Sequence, residues 1–321
     1  MFKTRITKLF GIKYPIIQGA MMWLSRAEVV AAVANAGGLG IMASLTIPTA
    51  RELREEIRKT KSLTDKPFAV NITLLPTIRP RNLEEYIDAA IEEGVTIIET
   101  AGRNPQQYME QLREGGAKVM HKVASVKAAR TAERIGVDAV TIVGFEEGGH
   151  PGMDDVTTMI LVPRTVDELE IPVIAGGGIG DGRGLMAALA LGAEGALMGT
   201  RFMLSQESPL HPNIKQRLLE ASEKDTMLIM RSINNPERVL TTDFTRRVLE
   251  VEEKGTSLEE LLPTIDGRRQ KRALDKGAVD EAMIPCGQVV GLINDLPTVK
   301  EIIDGIIKEA RKTGKRLSER G

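Results

Sequence analysis

The run PVIAGGG at residues 172–178, followed by ALMGTR at 196–201, decides how this chain folds. Each stretch is apolar without polar alternation and then breaks into glycine, which reads as a strand buried on both faces that ends in a tight loop. Strands of that kind belong to parallel sheets covered by helices. Glycines directly after them let backbone N–H groups approach an anion without side-chain obstruction. Tight strand-to-helix turns alone also use glycine. Two such loops in register point further, to a phosphate clasp on the last two strands of a barrel.

Working outward, six more apolar runs precede this pair: PIIQG from Pro15, LGIMAS from Leu39, FAVNI from Phe68, VTIIET from Val95, AKVMHKV from Ala117 and DAVTIVG from Asp138. Helical patterns fill the gaps at 25–36, 49–60, 82–93, 105–114, 126–135 and 183–191, the first expected to be capped by Ser25 with Glu28 three residues on. The alternation predicts a (β/α)8 TIM barrel with one long loop after the sixth strand. A doubly wound open sheet is the competing architecture, and it gives no reason for eight strands ending in two phosphate-type loops. Residues 208–285 are rich in charge and helix formers, so they read as a small C-terminal helical lobe covering the barrel mouth, the barrel taking 1–207 plus 286–321. A last amphipathic helix is expected from Thr298 to Arg311, with the tail KRLSERG solvated.

Composition narrows the function. Charged residues make up 27% and nearly cancel to a net −1, which argues against nucleic acid or an anionic membrane surface as partner. Cys286 is the only cysteine, so a disulfide framework and thiolate metal clusters are excluded, and a reducing, cytoplasmic setting is expected. The N-terminus MFKTRITKLFGIKYP lacks the apolar core of a signal peptide, and no stretch approaches the roughly 20 apolar residues of a membrane span.

Catalytic groups of such barrels lie on the loops after the strands. Those positions hold Ala20, Met21, Met22 and Trp23, then Asn71, Thr100 and Ala101, then Lys122, then Glu147, Gly148, Gly149 and His150, then Gly176, Gly177 and Gly178, and finally Gly199 and Thr200. Met21, Met22 and Trp23 can wall a flat ligand or simply fill the core. Asn71 offers both donor and acceptor to a planar heterocycle, or it is an ordinary loop amide. Lys122 ends an apolar strand, where a cation needs an anion or an electron-rich ring, so a structural salt bridge and a cofactor contact both stay open. His150 sits between glycines in GFEEGGHPGMDD, placed to act as base or hydrogen-bond donor. His121 should point away from Lys122 and pack, and His211 reads as a loop histidine. No partner stands at metal-ligand spacing to His150, so no metal is expected.

The chain resembles the FMN-dependent nitronate monooxygenases, formerly 2-nitropropane dioxygenases, a family that also holds NADH:quinone reductases and FMN-dependent enoyl-ACP reductases. The matching segments run in order along nearly the whole chain: PIIQGAMMW, AVANAGGLG, FAVNITLLP, ETAGRNP, VMHKVAS, GGHPG, PVIAGGGIGDGRG, ALGAEGALMGTRF, HPNIK and GQVVGLI. The resemblance implies FMN, its phosphate on Gly177, Gly178, Gly199 and Thr200, its ring near Ala20, Met21, Met22, Asn71 and Lys122, with Gly148, Gly149 and Gly176 also counted as cofactor-binding and His150 as the active-site histidine. It implies oxidation of alkyl nitronates, or nitroalkanes, with O2. Pro151 departs from the family's usual GGHRG, and NITLLP with GHPGMDD is closer to the quinone reductase subgroup, which makes NAD(P)H and quinone the alternative substrates. An enoyl-ACP reductase and a non-catalytic phosphate-binding barrel are further alternatives, and homo-oligomerisation stays open. IMP dehydrogenase, a phosphate-binding barrel with a loop cysteine, is set aside because Cys286 lies far outside the barrel runs.

Overall fold

The computed structural model describes residues 2–74, 81–255, 261, 265, 267–281 and 283–319; Leu75 and Pro76 of the NITLLP motif, parts of the 208–285 segment and the last two residues lie outside these. Eight parallel strands, β1 (Ile16–Gln18), β2 (Leu39–Ala43), β3 (Ala69–Leu74), β4 (Ile97–Gly102), β5 (Lys118–Val123), β6 (Ala139–Val143), β7 (Val173–Gly176) and β8 (Gly195–Met198), pair in chain order and close through Ile17 against Leu197. Each strand coincides with one of the apolar runs. Burial on both faces is what removes the alternation from them, and β2, β6, β7 and β8 are buried at every position.

The helices follow the strands as expected, with two differences of detail at the start. Helix α1 (Arg5–Phe10) has no counterpart in the sequence pattern, being too short for a period to show; it is set by a capping box between Thr4 and Thr7. Its Ile6 and Phe10, with Ile12, plug the lower end of the barrel against Ile17, Leu39, Ile97, Ala139 and Ile174. Helix α2 (Ala27–Asn35) starts after Arg26 without a side-chain cap. Ser25 is not free to cap it, because its hydroxyl receives the Met21 N–H at 2.8 Å and the Gln18 side-chain amide at 2.7 Å, while Glu28 pairs with Lys59.

Helices α3 (Ala50–Leu63), α4 (Leu83–Glu92), α5 (Met109–Glu114) and α6 (Val126–Ile135) cover the next strands. Helix α7 (Thr158–Val166) is a further element beyond the sequence pattern, with Pro163 inside it. Glu146 receives the Thr158 N–H at 2.9 Å and its hydroxyl at 3.0 Å, an N-terminal cap supplied across twelve residues that no local pattern announces. Helix α8 (Gly182–Ala190) follows β7, and the single turn α9 (Thr200–Met203) follows β8.

After α9 comes α10 (Pro212–Leu219), whose N-cap is His211: the Asn213 N–H donates to its Nδ1 at 3.2 Å, so this histidine starts a helix rather than decorating a loop. The 208–285 segment then departs from an all-helical expectation. It contains an antiparallel hairpin, β9 (Thr226–Ile229) and β10 (Glu237–Leu240), before α11 (Asp243–Glu253) and α12 (Gly267–Lys276). The hairpin strands are four residues each and carry the charged pair Glu237 and Arg238, too short and too polar to stand out in sequence. Helix α13 (Val299–Ser318) packs between α2 and α8 and continues past the expected end at Arg311, while the described tail residues 315–319 are exposed, as expected. Val299, Ile302, Ile303, Ile306, Ile307 and Ala310 form its buried stripe at helical spacing, each large side chain contributing roughly 1.5–3 kcal/mol of burial.

Candidate active site

The interior of a parallel barrel alternates with its outside, so register decides which side chains can meet. Asn71 stands opposite Glu99, Ala101 opposite Lys122, and Lys122 opposite Thr141, which puts all of these on the inner wall. Below them the interior is aliphatic; above them opens a cavity of about 360 Å3 at the C-terminal ends of the strands. That volume lies within the range of small-molecule sites, about 300–1,000 Å3.

Ala20, Met21, Met22, Asn71, Lys122, Gly148, Gly149, His150, Gly177, Gly178, Gly199 and Thr200 all line this cavity. Gly176 does not: it is the last residue of β7, and its carbonyl oxygen is taken by the Gly144 N–H at 3.0 Å. Trp23 also turns away. It holds a left-handed backbone at φ +66°, packs against the Leu204–Leu210–Ile214 cluster, and has Lys271 above its ring at 5.9 Å.

The glycine loops of β7 and β8 form a cradle. Gly177 and Gly178 sit at φ +95° and +70°, a region that a side chain resists, so glycine is required there to turn the backbone inward. Gly199 has ordinary backbone angles, and a Cβ built on it meets nothing nearer than the Met21 sulfur at 4.0 Å. Among the described residues the N–H groups of Gly178, Gly199 and Thr200 have no acceptor in the protein. Backbone donors left open at the edge of a cavity suit a phosphate, and this donor set fits the one that FMN carries. The Thr200 hydroxyl is already engaged, receiving the Gly287 N–H at 2.9 Å.

On the opposite wall lies a buried polar group that sequence reading found only in part. Lys122 Nζ stands 3.3 Å from Glu147 Oε1, and Glu147 with Glu99 behind it holds the ammonium above its ordinary pKa. Glu99 is buried, receives the Asn71 side-chain N–H at 2.6 Å, and is pushed above the usual carboxylate range by loss of solvent. The Asn71 carbonyl oxygen receives the Thr73 hydroxyl at 2.7 Å, so both ends of this amide are engaged. Both readings of Lys122 thus meet in one place: it has its structural anion and it faces the cavity. Glu99 had one available signal, an acid inside the run VTIIET, where a doubly buried strand has no place for an unpaired charge.

His150 is held from outside the barrel. Its Nδ1–H donates to the Pro236 carbonyl at 3.0 Å, and Gly149 exchanges two backbone hydrogen bonds with Arg238 on β10. A carbonyl oxygen only accepts, which fixes the proton on Nδ1 and leaves Nε2 with its lone pair. The loop is locked on its other side by Gly148, where a Cβ would stand 2.5 Å from the Gly287 nitrogen. Cys286, remote in sequence, is therefore beside this loop in space. Its thiol is fully buried in the Leu204–Ile284–Val290 cluster, lines no part of the cavity, and is pushed up to about 12 by burial. His121 points outward, bonded through Nδ1 to the Thr100 hydroxyl at 2.8 Å, and burial lowers it to about 4. Asn234, Asn235, Pro236, Glu237 and Gln270, none of them singled out from sequence, complete the wall opposite the strands.

A family model described as nitronate monooxygenase matches residues 3–309. Among relatives, the (3aS,4S,5R,7aS)-5-hydroxy-7a-methyl-1-oxo-octahydro-1H-indene-4-carboxyl-CoA dehydrogenase of Rhodococcus jostii is 37% identical over 97% of this chain and 96% of its own. A probable nitronate monooxygenase of Staphylococcus saprophyticus is 33% identical over 96% of this chain and 98% of its own. The structure of FabK from Thermotoga maritima superposes with a TM-score of 0.93 at 41% identity, covering all of both chains.

Proposed function

The chain belongs to the nitronate monooxygenase family of oxidoreductases, and from that premise we propose that it binds FMN and oxidises alkyl nitronates with O2, His150 serving as the base that forms the nitronate from a neutral nitroalkane. One observation carries the role of His150: the Pro236 carbonyl takes the Nδ1 proton, so Nε2 is the basic nitrogen at the cavity. Bound FMN would supply the two-electron acceptor and the reaction with O2. The chain's own part is binding and proton handling. Gly178, Gly199 and Thr200 hold the phosphate through their open N–H groups, Gly177 turns the loop, and Met21 and Met22 wall the ring. Lys122 offers positive charge to the ring from a site where Glu147 keeps it protonated. Residues 208–285 act as the lobe over the mouth, where they exclude water from the reacting carbon. Among the described residues no helix is long and apolar enough to cross a membrane; the cytoplasm remains the setting we propose, on the evidence of a single, buried cysteine.

A second reading has its own support. The 37% identical relative is named for a CoA thioester, and the 41% identical structure belongs to FabK, which favours redox chemistry beside a thioester carbonyl, with NAD(P)H as the hydride source and His150 handling the proton on the neighbouring carbon. The quinone reductase alternative uses the same cofactor and NAD(P)H. One experiment separates them. The purified protein should be yellow, and anaerobic ethylnitronate should bleach it while NADH does not. Bleaching by NADH, with recovery on adding an enoyl thioester or a quinone, would replace the nitronate reading by one of the other two. A colourless protein that takes up no FMN would leave a phosphate-binding barrel without turnover.

A further inference from the structure

Glu237 is an acidic side chain at the cavity that, among the described residues, has neither a hydrogen bond nor a salt bridge, and whose charged neighbour is the imidazole of His150. It opens β10 and is 3% exposed. Its neighbours lock it beside His150, since Pro236 receives the imidazole Nδ1–H and Arg238 pairs with Gly149. Arg238 is no counterion to it. That guanidinium donates to the Phe145 carbonyl at 3.0 Å and the Thr226 hydroxyl at 3.1 Å, with its centre 4.4 Å from the Phe145 ring. The other charged groups near the pair are Glu147, on the same loop as His150, and Lys122, whose ammonium Glu147 already holds. A carboxyl in such a place is cheaper neutral than ionised: burial moves it above the usual carboxylate range and outweighs the opposite pull of the neighbouring His150 imidazole.

We propose that Glu237 is a second catalytic residue, a neutral carboxylic acid that donates a hydrogen bond to the substrate oxygen on which negative charge develops while His150 takes the proton from the adjoining carbon. This rests on the reading of His150 as a base. In the step, the C–H bond breaks and its proton passes to Nε2. The electron pair moves into the bond from carbon to the nitro nitrogen, and the negative charge lands on a nitro oxygen that receives the Glu237 O–H without taking its proton. A thioester carbonyl would be stabilised in the same way. An acid and a base whose surroundings drive their protonation apart are the arrangement such a step requires.

The test follows exchange of the α-hydrogens of nitroethane with D2O, anaerobically, by proton NMR, which reads proton transfer without an electron acceptor. Glu237→Leu should slow exchange by about 10²–10³, the loss usual for one oxyanion donor, while Glu237→Gln keeps an N–H donor and should stay within about tenfold. Exchange by the native protein should also fall on the alkaline side as Glu237 loses its proton, and Glu237→Gln should lack that limb. Glu237→Leu exchanging at the native rate, with FMN content and Tm unchanged, would overturn the proposal. If the native protein does not exchange nitroethane at all, the base reading of His150 fails. Infrared difference spectra still decide Glu237 in that case: a protonated-carboxyl band at neutral pH, absent from Glu237→Gln, is expected, and its absence from the native protein overturns the neutral acid.

Discussion

The imidazole Nδ1 of His150 lies 3.0 Å from the carbonyl oxygen of Pro236, 86 residues further along the chain. A barrel loop and a hairpin of the 208–285 segment therefore share the orientation of one ring. His150→Asn should cut turnover of neutral nitroalkane by the roughly 10²- to 10⁴-fold that a general base supplies, and spare preformed nitronate. FMN content should stay normal. Wild-type kinetics on nitroalkane, nitronate, NADH and quinone alike would remove His150 from the site.

The phosphate cradle is best tested at Gly199, where the backbone is unstrained and a methyl group has room. Gly199→Ala should fold and keep its flavin. Gly199→Asp puts a carboxylate against the phosphate and should purify colourless at an unchanged Tm. Stoichiometric FMN in the aspartate variant would refute the assignment. Gly178→Asp should also lose flavin, but with a lower Tm, because φ +70° strains any side chain.

Lys122→Met keeps the stem and removes the charge. Glu147 and Glu99 then lack their cation, at a cost of about 1–3 kcal/mol, less than for a fully enclosed pair because the lysine side chain is 25% exposed. The native pKa of Lys122 lies above its unfolded value of 10.5, so its stabilisation is full below that pH and fades as pH rises through the raised value. Denaturation curves against pH should show that alkaline loss in the native protein and not in the variant, whose flavin affinity should also fall. Unchanged flavin binding would leave Lys122 a structural cation only.

Glu99 shifts in the same direction, in a lower pH window. Its native pKa is above the unfolded 4.5, so the folded chain holds the proton more tightly and stability declines as pH rises from 4.5 through the raised value. Glu99→Gln preserves the Asn71 contact and abolishes that slope. The Tm difference between pH 5 and pH 8 should shrink in the variant; an identical difference would mean that Glu99 is ionised throughout.

A thiol held near 12 is almost wholly protonated at pH 8 and walled by aliphatic side chains. Iodoacetamide should leave Cys286 unmodified in the native protein and alkylate it promptly in denaturant, with no loss of activity in the first case. Rapid native alkylation accompanied by inactivation would put the thiol back in the chemistry.

The sequence was most legible where burial is two-sided and local. The eight strands, most helices and the positions of the loop glycines follow from apolar runs and their breaks, because a doubly buried strand admits nothing else. Helix starts were less legible when the capping group was remote: Ser25 looks like a cap and instead pins Met21, while Thr158 is capped from Glu146. The resemblance carried the reading from a phosphate barrel to FMN. It named His150 but none of the groups that surround it on the far side.

By itself, then, the sequence determined the barrel, the two glycine loops after its last strands and the loop that carries His150, since each depends on residues within one strand and its turn. Only the tertiary structure decided which nitrogen of His150 carries the proton, that Glu99, Lys122 and Glu147 form one buried cluster, and that Glu237 faces the cavity beside His150 with no salt bridge among the described residues. These are facts about groups brought together across strands or across the 86 residues from His150 to Pro236. Electrostatic energy depends on distance and on lost solvent, and neither is written in the order of residues along the chain.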